Sequence, residues 1–311
     1  MSSKLSEKTL TTYRSTINSL YKNIGLGNKA PVDDGSWIKS NFTKIIEYID
    51  GMSSEFSKKN NYAILKVWCG MFDIEDKKLI ETIDKRMTEL AEAVNKTYST
   101  NEMTDKVASN WVGVDDMREK VAYLKAKLPD MEAIDTYKEY MALMKYLCLL
   151  IHIEIPLRND LSDSKLVSEL PKEQDDNVNY LVMKKGSVTL YLNNYKTNKQ
   201  YGTKIIPFSK ELSKEIIKYS SVIKRMSPHE WFIGKDGEDA PITRPTYTKL
   251  LNSIFKADGK NVSSTQIRRA VVSDLYKVDE NEYKQKQQLA NVMGHGVATA
   301  SLVYAKVLPK K

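Results

Sequence analysis

Tyr180-Leu-Val-Met-Lys-Lys-Gly-Ser-Val-Thr-Leu-Tyr-Leu-Asn-Asn-Tyr-Lys-Thr-Asn-Lys-Gln-Tyr-Gly-Thr-Lys-Ile-Ile-Pro207 is where β-branched and aromatic residues gather in a chain whose other apolar periods are helical. Three strand-like runs stand in it: Tyr180 to Met183, Val188 to Leu192 and Thr203 to Pro207. Lys184 to Ser187 and the longer Asn193 to Gly202 supply the polar turn residues between them, so the pattern predicts a small antiparallel sheet. Before the sheet, a long apolar helix is expected from about Met131 to Ile153 with Asp130 as its cap, and helices return from Lys210 onward.

The first part of the chain is helical by period. Leu10, Tyr13, Ile17, Leu20 and Tyr21 recur at three- and four-residue steps and stop at Gly25-Leu-Gly27. Trp37 to Ile49 and Phe56 to Trp68 read as two more helices. Asp73, with Asp76 three residues on, reads as the cap of a fourth through Leu79, Ile83, Met87, Leu90 and Val94. Polar residues near Thr97 to Thr104 and the Leu128-Pro129-Asp130 break bracket a boundary. The expected organisation is a helical domain over residues 1–104, a connecting helix and linker over 105–129, and a second domain over 130–311. The fold class is α+β, mainly α with a small antiparallel sheet.

A chain of 311 residues with 41% hydrophobic and 28% charged residues has the composition of a globular protein with room for two cores. Its net charge of +8 favours an anionic partner, of which nucleic acid is the commonest. Cys69 and Cys148 lie in unrelated contexts and make neither a disulfide framework nor, with His152, His229 and His295, a zinc site. The apolar run Met141 to Ile155 carries Lys145, His152 and Glu154 and is too short to cross a bilayer. Met1-Ser-Ser-Lys-Leu-Ser-Glu7 lacks a signal core, so an intracellular, reducing location and no membrane partner are expected.

The chemistry concentrates near the C-terminus, in Val292-Met-Gly-His-Gly-Val-Ala-Thr-Ala-Ser-Leu-Val-Tyr304. On one straight helix the nine residues from His295 to Tyr304 would advance about 13.5 Å and turn the two side chains to opposite faces. Gly294 and Gly296 allow the backbone to break there, so that a short helix from Ala298 can bring Tyr304 back toward His295. Upstream, Arg158 follows the buried helix in Ile155-Pro-Leu-Arg158-Asn-Asp-Leu161, Lys196 sits on the turn Tyr195-Lys196-Thr197, and Arg268 closes Thr265-Gln-Ile-Arg268.

In this order and with these flanks, the second half of the chain resembles the tyrosine recombinase (phage integrase) family. Pro-Leu-Arg-Asn-Asp and Asn-Tyr-Lys-Thr look most like recombinases of virophages and other mobile elements of large DNA viruses. The resemblance implies a helical core-binding domain followed by a catalytic domain, with Arg158, Lys196, Arg268, His295 and Tyr304 as catalytic residues. It implies double-stranded DNA as substrate, a homotetramer assembled on two sites, and no cofactor or metal. One departure stands out: where the family's motif has histidine, this chain has Thr265, or Gln266 if the motif ends at Arg269. The Ile267, Val271, Leu275 stripe follows the family's hydrophobic pattern when Arg268 is the motif arginine, so the resemblance points to Arg268. Thr265 and Gln266 can hydrogen-bond a phosphate but cannot shuttle a proton at neutral pH.

The residue types suit attack of a phenol on a phosphodiester. Guanidinium groups match the charge that builds on the non-bridging oxygens. A phenol, with an ordinary pKa of about 10, needs cationic surroundings to act as a nucleophile. The leaving 5′ oxygen needs a proton, for which Lys196 is the natural donor. The sequence carries no P-loop and no His-Glu-x-x-His motif. Two other readings share these residues: a type IB topoisomerase, and a DNA-binding relic that does not cut.

Overall fold

The computed structural model describes residues 5–99, 103–275, 289 and 292–294, and the chain divides into two compact units at Thr100 and Asn101. His295 and Tyr304 lie outside the described residues.

The first unit is helical. It comprises α1 (Glu7–Asn23), α2 (Ser36–Ser40), α3 (Phe42–Asp50), α4 (Glu55–Met71) and α5 (Lys77–Ser99). Ile17 and Leu20 of α1, Ile45 and Ile49 of α3, Tyr62 and Leu65 of α4 and Ile83 of α5 fill its core. Two boundaries differ from the sequence reading. Trp37 to Ile49 is not one helix, because Asn41 leaves helical geometry at φ −121° and its side-chain amide donates to the Trp37 carbonyl. Asp73 is not the cap of α5 either: it takes a left-handed φ of 47°, and the Asp76 carboxylate accepts from the Leu79 amide instead.

The second unit begins with α6 (Asp105–Ser109) and α7 (Val114–Ala126), and α7 lies against α8 (Tyr137–Glu154). The apolar α8 is the spine of this unit: Leu143, Met144, Leu147, Cys148 and Ile151 are wholly buried in it. It starts at Tyr137 rather than Met131, because Thr136 and Glu139 form a reciprocal capping box, while residues 131–133 make a separate 3-10 turn.

After a 3-10 turn at Asn159–Asp163 come β1 (Ser164–Val167), β2 (Asn179–Lys184), β3 (Ser187–Leu192), α9 (Asn198–Tyr201) and β4 (Lys204–Pro207). The sheet order is β1-β2-β3-β4, with β2, β3 and β4 antiparallel and β1 parallel to β2. The sheet is therefore mixed, and its extra strand, β1, has no alternation that marks it in sequence. α10 (Lys210–Lys218) lies beside β3, and α11 (Ser220–Met226), α12 (Arg244–Ile254) and α13 (Ser264–Leu275) lie against α8. Among the described residues the fold is α+β, mainly helical with one small sheet in the second unit.

Candidate active site

Four segments of the second unit meet around the turn that follows α8. Ile155, Pro156 and Leu157 are buried there, so the chain leaves the core at Arg158. Arg158 is half-buried, and its backbone amide donates to the Asp160 carboxylate at 3.2 Å, opening the 3-10 turn.

Arg268 comes from α13. It is 2% exposed, and its Nη1 donates to the Pro156 carbonyl at 2.9 Å, two residues from Arg158. Arg269 lies about 100° further round the helix. It is half-buried, and its Nη1 donates to Gln266 Oε1 at 3.2 Å; Thr265 is exposed. The two arginines thus serve different surroundings. Arg268 is turned to the Arg158 loop, and Arg269 is engaged on its own helix.

Lys196 is exposed at the turn between β3 and α9. Its neighbours are held: Tyr195 is buried and its hydroxyl donates to the Gly202 carbonyl at 2.7 Å, while the Asn198 side-chain amide donates to the Asn193 carbonyl at 2.9 Å. The amine of Lys196 is thus carried on a turn whose flanking residues are held by hydrogen bonds.

Met293 and Gly294, directly before His295, are gripped from two sides. Arg158 Nη1 donates to the Met293 carbonyl at 3.4 Å, and the Thr197 hydroxyl donates to the Gly294 carbonyl at 3.1 Å. Met293 packs with Val272 of α13. Gly294 has a φ of +71°, and a Cβ there would stand 2.5 Å from Thr197 Oγ1, so both conformation and close approach require glycine. Arg158, Arg268, the Lys196 turn and the residue preceding His295 are consequently joined by direct hydrogen bonds or by covalent neighbours of the bonded groups.

Charges beneath this group are buried. Burial pushes the Asp160 carboxyl up, against the opposing pull first of Arg244 and then of Arg158. Behind Arg268, His152 of α8 is wholly buried with its Nε2 2.8 Å from the Tyr247 hydroxyl. Desolvation first, and the Arg268 charge second, push this imidazole down to about 3, so it is neutral. Among the described residues no group of three or more His, Cys, Asp or Glu side chains is arranged to hold a metal ion, and no helix is long and apolar enough to cross a membrane.

Three further residues organise these segments: Asn159, inside the Pro-Leu-Arg-Asn-Asp run, and Arg244 and Asn179, outside every quoted motif. Asn159 Nδ2 donates to Thr248 Oγ1 at 2.7 Å and to the Arg244 carbonyl at 3.3 Å, while its Oδ1 accepts from Ser264 Oγ at 2.8 Å. It therefore ties the Arg158 loop to the starts of α12 and α13. Arg244, the first residue of α12, pairs with Asp163 at 2.9 Å and donates to the Asn194 carbonyl at 3.4 Å. Asn179 begins β2 wholly buried. Its one sequence signal is an asparagine at the head of a strand, where that residue is disfavoured.

No family model matches the sequence, and no curated protein matches it. Among solved structures, the crystal structure of XerA recombinase aligns with 98% of this chain and 89% of that chain, at a TM-score of 0.43 and 12% identity.

Proposed function

We propose that this chain cuts and rejoins DNA strands through a 3′-phosphotyrosyl intermediate, as a site-specific recombinase or integrase. The observation that carries the reading is the joining of Arg158, Arg268 and the Lys196 turn with Met293–Gly294, one residue before His295. Segments more than 130 residues apart in sequence are drawn to one place, and each brings a residue type that phosphoryl transfer needs.

In the proposed reaction the scissile phosphate sits between the guanidinium groups of Arg158 and Arg268. The Tyr304 phenolate attacks phosphorus; the bond to the 5′ oxygen breaks, and Lys196 gives that oxygen a proton. His295 hydrogen-bonds the phosphate or the tyrosine. Because the phosphotyrosyl ester keeps the energy of the broken bond, a 5′ hydroxyl of a second strand reverses the step and releases the phenol. Double-stranded DNA is the substrate, and four copies on two sites would exchange strands in pairs. The first unit would serve as the core-binding domain and the second as the catalytic one.

Incubation of the full chain with a nicked duplex carrying its site, so that the short 5′ strand is lost after cleavage, tests the reading. A denaturation-resistant protein–DNA adduct is expected. Binding of that duplex without an adduct would leave a DNA-binding protein that does not cut. Relaxation of supercoiled DNA lacking the site, by a monomer, would move the activity to the topoisomerase class.

A further inference from the structure

Asn179 lies between the loop that carries Arg158 and the turn that carries Lys196, and it spends its whole side chain on them. Its Nδ2 donates to the Asp160 carbonyl at 2.8 Å and to the Asn194 carbonyl at 3.3 Å. Its Oδ1 accepts from the backbone amides of Asn193 and Asn194, both at 2.8 Å. Two donors and two acceptor positions are the full capacity of a carboxamide, so its rotamer and flip are both fixed. The side chain is 0% exposed, which removes competition from water. Every one of these bonds goes to backbone: one side is two residues past Arg158, the other two and three residues before Lys196.

We infer that Asn179 is a positioning residue that sets the Lys196 amine at its distance from the phosphate held by Arg158. The inference rests on the function proposed above. The two sides differ in what else holds them. The Arg158 loop is anchored independently by the buried Leu157 and Leu161 and by the three side-chain bonds of Asn159. At the root of the Lys196 turn both successive amides end on Asn179, beside the bonds that the side chains of Asn193, Asn194 and Asn198 make there. Loss of this carboxamide leaves the amides of residues 193 and 194 without their acceptor and shifts the root of the lysine turn. A misplacement of about 1 Å in a catalytic group can cost on the order of a hundredfold in rate, so the effect is on proton delivery.

Two variants separate alignment from stability. Asn179→Asp keeps the size and the acceptor for the two amides but loses the donors to Asp160 and Asn194. Asn179→Ala loses all four bonds. Cleavage by the full chain is compared on a nicked duplex with an ordinary 5′ oxygen at the break and on the same duplex with a 5′ sulfur, which leaves without a proton. Both variants should be slowed about tenfold to a hundredfold on the oxygen substrate and cut the sulfur substrate within about threefold of the wild-type chain. Lys196→Ala should behave the same way, and Arg158→Ala should fail on both substrates.

An equal loss on both substrates, or no loss on either, would overturn the role of Asn179. So would failure of both variants to give a cooperative melting transition, since the residue would then serve folding rather than alignment. The wild-type chain forming no adduct on either substrate would instead sink the functional reading itself.

Discussion

Neighbouring arginines on α13 meet different surroundings. Arg268 is buried against the Pro156 carbonyl, whereas Arg269 leans on Gln266 at the half-exposed edge of the helix. Arg268→Lys keeps the charge but not the fork that can bond a carbonyl and a phosphate together. Adduct formation should fall about a hundredfold to a thousandfold in that variant. Arg269→Ala should leave the adduct rate within about threefold and weaken DNA binding modestly. A reversal of the two phenotypes would make Arg269 the motif arginine. The stripe of Ile267, Val271 and Leu275 singles out Arg268 only through the family's pattern: of the three just Ile267 is buried, and the buried face of α13 runs through Ile267, Arg268, Ala270 and Val272. Asn179 and Arg244 were not legible. Their partners are main-chain atoms brought near by the sheet, and such bonds leave no periodic trace.

Among the elements, the segment at Met293–Gly294 is held by contacts that tolerate no side chain. Gly294→Ala would place a methyl group 2.5 Å from Thr197 Oγ1 and 3.2 Å from the Tyr195 ring, at a φ of +71°. The strain is on the order of 1–3 kcal/mol. Displacement of this segment should lower adduct formation at least about tenfold while DNA binding persists; a normal rate would show that the contact with the Lys196 turn is not needed. The helix α8 carries a second expectation. Burial keeps His152 neutral in the fold, with its pKa down at about 3, while in the unfolded chain it takes a proton near pH 6.5. Its contribution is thus complete above pH 6.5 and is lost as the pH falls toward 3. The slope is about 1.4 kcal/mol per pH unit, so between pH 7 and pH 5 the wild-type chain should lose about 2 kcal/mol more than His152→Gln. Parallel stability profiles of the two chains would show that the imidazole is not held neutral.

The elements that sequence revealed were those with long periods. α1, α4 and α8, and the β2–β3 and β3–β4 pairings, follow from apolar repeats and from turn residues. β1 escaped because Ser164-Lys-Leu-Val is short and is buried at three of its four positions, so it has no alternation, and its parallel partner begins twelve residues after it ends. The start of α8 was displaced because Asp130 and Thr136 both offer a capping oxygen, and only Thr136 has a glutamate three residues on to complete the box.

For the whole molecule, the proposed DNA substrate and the excess of eight positive charges together predict binding dominated by phosphate contacts. Contact with about six phosphates would give a logarithmic dependence of affinity on salt with a slope near −5. A slope near zero in a filter-binding or anisotropy titration would mean that DNA is not the anionic partner. The fold class was legible at this scale because three strand-like runs interrupt an otherwise helical chain. The meeting of Arg158, Arg268 and the Lys196 turn was legible only as an order of residues; distance came with the structure. In the proposed reaction Tyr304 delivers the nucleophile to this group. Digestion of the trapped protein–DNA adduct, followed by mass spectrometry of the nucleotide-bearing peptide, measures it directly. The modified residue should be Tyr304, and Tyr304→Phe should bind DNA and give no adduct. A phosphodiester mapped to any other of the eighteen tyrosines, or an adduct that survives Tyr304→Phe, would contradict the account.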